Sequence, residues 1–454
     1  MTMPLVVGHN LCADLPELWA CGYLPRDIRC FDTYVAAGFL GYIDKSLKSL
    51  AAEILHKDIT GFDPCMLEGE FAGALLREHN CTDVMATEML YNYFKKFSYP
   101  PAFDLDMQFT PVLAEMIDRG FRIDVRAAKK LQRKYERQLR KIELPFNPAS
   151  PKQVAAYFNL PDGQMKTMEQ GMATLGELAS WEAHATIEWK HLDKKVDYLR
   201  QFIEAADAEG RIHAHYDLGG TITGRMSCAR PPLHSTAKTP EMRGVFRATP
   251  GYKLIVFDFS AGEYITAAFL SGNQEMIEKL KTQSPHAYVA EKYGITYAQG
   301  KTANFAALNM GGKDTLVRNC GMTPEQAKDF LNTYPLVTWA RETIAKGQED
   351  GFSSSPLGRT RVFTKASEGI TEAVQGGLAE VGKGGCIKCR EFDPVHNEHD
   401  SYLFEIEEQY AVEAAHEIKK RMEDNAFGIK VAGGVFDSWG EELLKDHSKG
   451  VWIE

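Results

Sequence analysis

The sequence predicts an α+β chain of more than one domain, and three observations carry that prediction. YKLIVFDFS, from Tyr252 to Ser260, is a short apolar run of the kind that forms a buried central strand. RIDVRAAKKLQRKYERQLRK, from Arg122 to Lys141, repeats Ala128, Leu131, Tyr135 and Leu139 at helical spacing and covers the rest of the helix with Arg and Lys. The tail alternates: SYLFEIE reads as a strand, Gln409 to Glu423 as a helix and IKVAGG as a closing strand. A length of 454 residues with 44% hydrophobic composition allows two or more cores.

The elements follow in order. Residues 1 to about 100 read as α/β, beginning with PLVVGHNLCADLPELW, where a strand-like run meets a helix carrying Asn10 and Asp14. After the basic helix, Ser150 and Pro151 in FNPASPKQVAAYF form a helix start, Ser as N-cap and Pro at the first helical position. WEAHATIEWKHLDKKVDYLRQFIEAA is a long helix. From Gly210 onward RIHAHYDL, GVFRATP and YKLIVFDFS are expected as strands, and helices resume from Glu263 to about Lys346.

Composition excludes several classes. The chain has no run of about 18 apolar residues and no basic, apolar, small-residue leader, so an intracellular, membrane-free location is expected. Nine scattered cysteines suit free thiols. A formal net charge of −10 gives no general attraction to nucleic acid, so any such binding needs a local patch. Lys129, Lys130, Arg133, Arg137 and Arg140 supply one.

Two carboxylates stand where chemistry is expected. Asp258 ends an apolar strand, with Glu263 five residues on, and Asp400 opens another at NEHDSYLFEIEEQ. On neighbouring strands they would hold hard divalent cations, and two such ions about 3.5–4 Å apart clamp both oxygens of a phosphoryl transfer. Asp437, in GGVFDSWGEE, competes for the same role. Between the two, Lys301 and Phe305 share a helix face, with His286 upstream, an arrangement able to grip a triphosphate and stack a base.

The ordered segments DFSAGEYITAAFLSG, GKTANFAALNMGG and EHDSYLFEIE resemble motifs A, B and C of family A DNA polymerases. FDLDMQFTPVLAEMIDRGFRID, FNPASPKQVAAYF, TITGRMSCARPPLH and LGRTRVFTKASEGITEAVQGGLAE resemble the neighbouring segments, so the likeness covers residues 100 to 454. It implies a right-hand polymerase: 101–119 the lead-in to the palm, 120–205 the thumb, 206–262 palm with antiparallel sheet, 263–370 helical fingers and 371–454 palm with motif C. The implied activity is that of a DNA-directed DNA polymerase, a nucleotidyltransferase acting on primer-template DNA and dNTPs. Asp258 and Asp400 would bind two Mg²⁺ ions, with Mn²⁺ as a substitute, and Asp437 would fall in a solvated closing turn. Lys301 and His286 would hold the phosphates, Phe305 would pack on the nucleotide, and Glu263 would crowd the sugar's 2′ position. Arg225 and Gln375 would read the duplex minor groove, with Arg243, Arg361 and His399 as further DNA contacts.

The sequence departs from the family pattern at several places. Tyr297 stands where an Arg is usual and Asn309 where a Tyr is usual, both on the nucleotide helix, with Lys292 or Arg318 as compensating cations. Ser401 and Thr371 replace a usual Glu and Asn. Residues 1–100 resemble part of a 3′–5′ exonuclease domain of α/β, RNase H-like type, on Asn10, Asp14, His79 and Asp83; the Asp-x-Glu strand that should precede them is absent. That pattern predicts a phage-like chain with little proofreading of its own, a missing strand supplied by a second polypeptide or lost by truncation, and the cytoplasm of a host cell as location. Cys386 and Cys389, followed by His396 and His399, have partial zinc-site spacing but read better as incidental thiols. A single-subunit RNA polymerase is disfavoured by Glu263; a catalytically impaired DNA-binding subunit or half of a split polymerase is the alternative.

Overall fold

The computed structural model describes residues 3–59, 72–175, 180–280, 282–362, 368–444 and 449–453. Parts of two expected segments, 60–71 of the N-terminal unit and 363–367 ahead of Gln375, lie outside the described residues. Near the N-terminus β1 (Leu5–Gly8) pairs in parallel with β2 (Arg29–Asp32), and α1 (Ala72–Phe94) packs on β1. Asp32, fully buried, ties this unit together: its carboxylate accepts from the backbone N–H groups of Asn10, Leu11 and Tyr34 at 2.8–2.9 Å, and so caps the helix Thr33–Phe39. Helix α2 (Pro101–Arg119) is buried along most of its length.

The basic helix is α3 (Val125–Leu139), started by Asp124, whose side chain accepts from Ala127 N at 2.9 Å. It packs through Ala128 and Tyr135 against α4 (Trp181–Ala205) and leaves Lys129, Lys130, Arg133, Arg137 and Arg140 exposed. The five-stranded sheet is built around β3 (Tyr252–Phe259), whose Leu254, Ile255, Val256 and Phe257 are at most 1% exposed. Each such side chain contributes about 1.5–3 kcal/mol of burial, so the strand is fixed in the middle of the core. Helix α5 (Tyr297–Leu308) lies in a second core that spans Tyr264 to Val374, the region expected as fingers and the first residues of the palm segment after it.

Helix α6 (Gly377–Lys388) then leads to β4 (Pro394–Glu398) and β5 (Ser401–Glu407), followed by α7 (Ala411–Glu423), β6 (Val431–Phe436) and β7 (Val451–Trp452). The sheet order is β4-β5-β3-β6-β7, antiparallel throughout.

Three local expectations need correction. GVFRATP is not a strand of the sheet: its backbone makes only isolated bridges, Phe246 to Ile123 and Arg247 to Ser438. RIHAHYDL divides into two strands, Arg211–Ile212 and His215–Asp217, which pair with different partners. IKVAGG does not close the fold, because β7 adds to its outer side.

Candidate polymerase active site

The register of the central sheet brings the two candidate carboxylates together. Ser401 pairs with Asp258 across β5 and β3, and Phe259 N donates to the carbonyl O of Asp400 at 3.2 Å. The β4–β5 hairpin closes with only His399 and Asp400 between the paired Glu398 and Ser401. His399 takes φ 61°, the left-handed region, which costs a non-glycine residue roughly 1–2 kcal/mol. That turn aims Asp400 at the end of β3, where chain direction changes into the helix Gly262–Leu270 carrying Glu263.

Negative charge accumulates here. Burial first, then Asp400, Glu442 and Glu398, push the Asp258 carboxyl from 3.8 up to about 8, with Lys238 opposing the rise. Lys238 Nζ lies 3.5 Å from Glu398 and is itself exposed. Behind the hairpin, Arg243 is 3% exposed, pairs with both Glu398 and Glu442, and lies 4.0 Å over the Trp439 ring. Its expected role as a strand contact is therefore corrected: the guanidinium is enclosed, with one carboxylate at each NH₂ group.

Two other expected DNA contacts differ in setting. Arg225 NH₂ donates to Glu263 Oε1 at 2.6 Å, joining the loop before β3 to the helix after it. Arg361 belongs to the hairpin Phe352–Ser354/Thr360–Val362 and pairs with Glu368 at 3.3 Å, its side chain mostly covered. Gln375, half-buried, sits in a π-helical turn, Glu372–Gly376. Such turns are rare and are frequent at functional sites. His399 sits beside Arg225 and Lys238, and desolvation by the protein packed around its ring, then Arg225, lower its pKa.

On α5, Lys301, Phe305, Tyr297 and Asn309 are all exposed, the Phe305 ring by 59%. His286 is buried, edge-on to Tyr264 at 4.8 Å and to Tyr297 at 5.6 Å. Burial and Lys301 lower its pKa to about 4, so it is neutral at pH 7. The Asn304 side-chain amide lies 3.4 Å from His286 Nδ1 while donating to the Pro285 and Gly300 carbonyls at 3.0 and 3.1 Å. Gly300 permits this closeness, since a Cβ there would fall 2.4 Å from the His286 carbonyl oxygen. The Asn309 side chain caps back onto the Phe305 carbonyl at 2.9 Å. Lys292 lies 5.2 Å from the Tyr293 ring, and Arg318 is exposed on the next helix.

The profile of DNA polymerase family A matches residues 122–441. The chain belongs to that family. Among curated family relatives, DNA polymerase I of Helicobacter pylori strain J99 is 25% identical over 94% of this chain and 54% of its own length. DNA polymerase I of Aquifex aeolicus is 24% identical over 92% of this chain and 83% of its own. The chain thus spans about half the length of several curated relatives it matches. A solved structure, the POL domain of Pol1 from M. smegmatis in complex with DNA primer-template and dNTP, superposes with a TM-score of 0.78 at 18% identity, covering 96% of this chain and 86% of the other. The fold is that of the right-hand family A polymerases.

Some residues of the site were missed in the sequence. Glu398, Glu442 and Lys238 set its electrostatics, and buried Asn304 ties the start of the His286 helix to α5 through the Pro285 carbonyl. Glu372 is fully buried beside Gln375 with neither carboxyl oxygen hydrogen-bonded, and burial pushes it up to about 8. Of these only Glu398, two residues before Asp400, carried a legible signal. Asp437, by contrast, is half-exposed and pairs with Lys253 at 2.6 Å, a surface role. In the N-terminal unit Asn10 adopts φ 63° as a helix cap, Asp14 is exposed, and Asp83 lies 3.4 Å from His79. Cys386 and Cys389 are buried in the main core, where burial pushes both thiols up, Cys389 to about 12. No helix among the described residues is long and apolar enough to cross a membrane.

Proposed function

We propose that this chain is a template-directed DNA polymerase that adds dNTPs to a primer 3′ end. The observation that carries the proposal is the convergence of Asp258 and Asp400 at the ends of adjacent antiparallel strands, with surplus negative charge around them. Two carboxylates close enough for one to raise the pKa of the other suit hard divalent cations such as Mg²⁺ or Mn²⁺. Among the described residues no three or more acidic, His or Cys side chains form a metal cage. That fits Mg²⁺, which is commonly held by one or two carboxylates plus substrate phosphates. When bound, such ions activate the attacking 3′-oxygen and neutralise the departing pyrophosphate.

The chain's own residues have distinct tasks in this reading. Lys301 neutralises triphosphate oxygens from an exposed helix position, while neutral His286 donates a ring N–H and adds no charge. Phe305 offers its exposed ring to the nucleotide. Glu263 excludes a 2′-hydroxyl, and Arg225, bonded to it, reaches the primer-template minor groove together with Gln375. His399 stands at the primer terminus. The basic face of α3 follows phosphates as a thumb.

Nuclease activity is not part of the proposal. Asp14 is exposed and Asp83 is next to His79. The side of β1 away from β2 has no paired strand among the described residues, and a second polypeptide contributing acidic ligands would add there.

The test is extension of a labelled primer on a DNA template with Mg²⁺, with dNTPs or rNTPs supplied in parallel. Extension with dNTPs alone, lost in Asp400→Ala, supports the proposal. Tight primer-template binding without extension would favour a DNA-binding subunit.

A further inference from the structure

The loop that presents Arg225 is held by residues far away in the chain. It spans 218–226 and closes a two-stranded ribbon, His215–Asp217 with Ser227–Ala229. The Tyr34 hydroxyl donates to Asp217 Oδ2 at 2.9 Å across 183 positions of sequence, and Lys45 Nζ donates to the Gly219 carbonyl at 2.5 Å across 174. The Lys45 ammonium also lies 4.4 Å from the centre of the Tyr34 ring. Inside the loop, Gly219 N donates to the other Asp217 oxygen at 2.8 Å. The fit is close: a Cβ on Gly219 would fall 2.8 Å from Tyr34 Cε1 and 3.2 Å from Lys45 Nζ.

The other side of the loop is backed as well. Gly224, at φ 72°, faces Arg359, whose Nε would lie 2.5 Å from a Cβ there. The Arg359 guanidinium lies 4.3 Å over the Phe39 ring and pairs with buried Asp106. Tyr34, Phe39 and Lys45 come from one short stretch whose helix is capped by Asp32. That stretch therefore reaches both flanks of the loop, on one side directly and on the other through Arg359.

We propose that Tyr34 and Lys45 are positioning residues for Arg225: the N-terminal unit fixes the loop in which Arg225 meets Glu263, and the grip on primer-template depends on it. The inference rests on the reading of Arg225 as a duplex contact. The physical basis is preorganisation. A nine-residue loop anchored only at its ribbon ends would have to be ordered on binding, at a cost in affinity. The bond to Gly219 holds the start of the loop and the bond to Asp217 holds the ribbon end beneath it, and with the internal Thr221–Arg225 bond they lower that cost in the free protein. Tyr34 and Lys45 act through the loop and not on the DNA.

The test uses the full chain and a fluorescent primer-template. Tyr34→Phe removes one hydroxyl, and Lys45→Met one ammonium on a stem of similar length. Each is expected to weaken primer-template binding about fivefold or more, with the KM for dNTP unchanged. In an Arg225→Ala background the same substitutions are expected to have little further effect, because the group they position is gone. Losses that add in full in that background, or unchanged binding with a lowered melting midpoint, would overturn the proposal and leave a purely structural contact. Circular dichroism checks the fold of each variant, and the two substitutions are independent of one another. A wild-type chain that binds but does not extend would refute the polymerase activity while the Tyr34–Arg225 coupling is still read from binding; a chain that does not bind refutes both.

Discussion

Replacing Asp258 by Asn should stabilise the metal-free protein at alkaline pH. The folded state holds the Asp258 proton up to about pH 8, whereas the unfolded chain releases it near 3.8. Between those values the folded state binds the extra proton, so stability falls as pH rises and is flat above. The raised carboxyl thus contributes stability that is fully present below about pH 4 and is lost through pH 8. A shift of about four units corresponds to roughly 5–6 kcal/mol at 1.36 kcal/mol per unit. Asp258 has solvent access at the sheet end, and screening reduces that figure to about 2 kcal/mol. Urea unfolding at pH 5 and pH 9, with EDTA present, measures it. Asp258→Asn is expected to match the wild type more nearly at pH 5 and to exceed it by about 2 kcal/mol at pH 9. Added Mg²⁺ should narrow the gap at pH 9 by binding the folded wild type. A variant no more stable than wild type at pH 9, with the same difference at pH 5, would refute the charge-accumulation argument.

Three further outcomes are expected. Lys301→Ala should raise the KM for dNTP about 10–100-fold in single-nucleotide extension while leaving primer-template affinity unchanged. Glu263→Ala should relax discrimination against rNTPs about 10–100-fold, read as the ratio of kcat/KM for the two sugars; an unchanged ratio removes Glu263 as the gate. Arg243→Met leaves buried Glu398 with only the exposed Lys238 and partly buried Glu442 with no paired cation among the described residues, and should cost about 3–5 kcal/mol in denaturant unfolding, whereas a loss below about 1 kcal/mol would show the pair to be dispensable.

The elements legible in the sequence were those with strong period or sharp boundaries. Leu254 to Phe257 form an unbroken apolar run because both faces of that strand are covered, and α3 shows its apolar stripe because only one side is buried. The family pattern pointed to Asp258 and Asp400, and the strand register sets Ser401, the neighbour of Asp400, opposite Asp258. Arg243 was misread because its partners, Glu398 and Glu442, lie 155 and 199 positions away. A cation beside a Pro-Glu turn reads as a surface residue until the topology supplies those carboxylates. GVFRATP was misread because its β-prone residues fill a turn under Trp439, where burial and not pairing determines composition. The dependence of the Arg225 loop on Tyr34 has no local signature at all, since it joins two units with unrelated patterns.

The two-residue turn at His399 and Asp400 restricts how this gene can vary in length. Side chains alternate faces along a strand, so one codon gained or lost between Glu398 and Ser401 would rotate Asp400 away from β3 or shift every pair from Ser401 to Glu407 by one step. The turn already has the two-residue length of the tightest common hairpins, so it has no residue to lose. Tolerated insertions and deletions should instead collect just upstream, in the helical turn Arg390–Phe392 and at the register irregularity between Pro394 and His396, where the strand already accommodates an uneven count of residues.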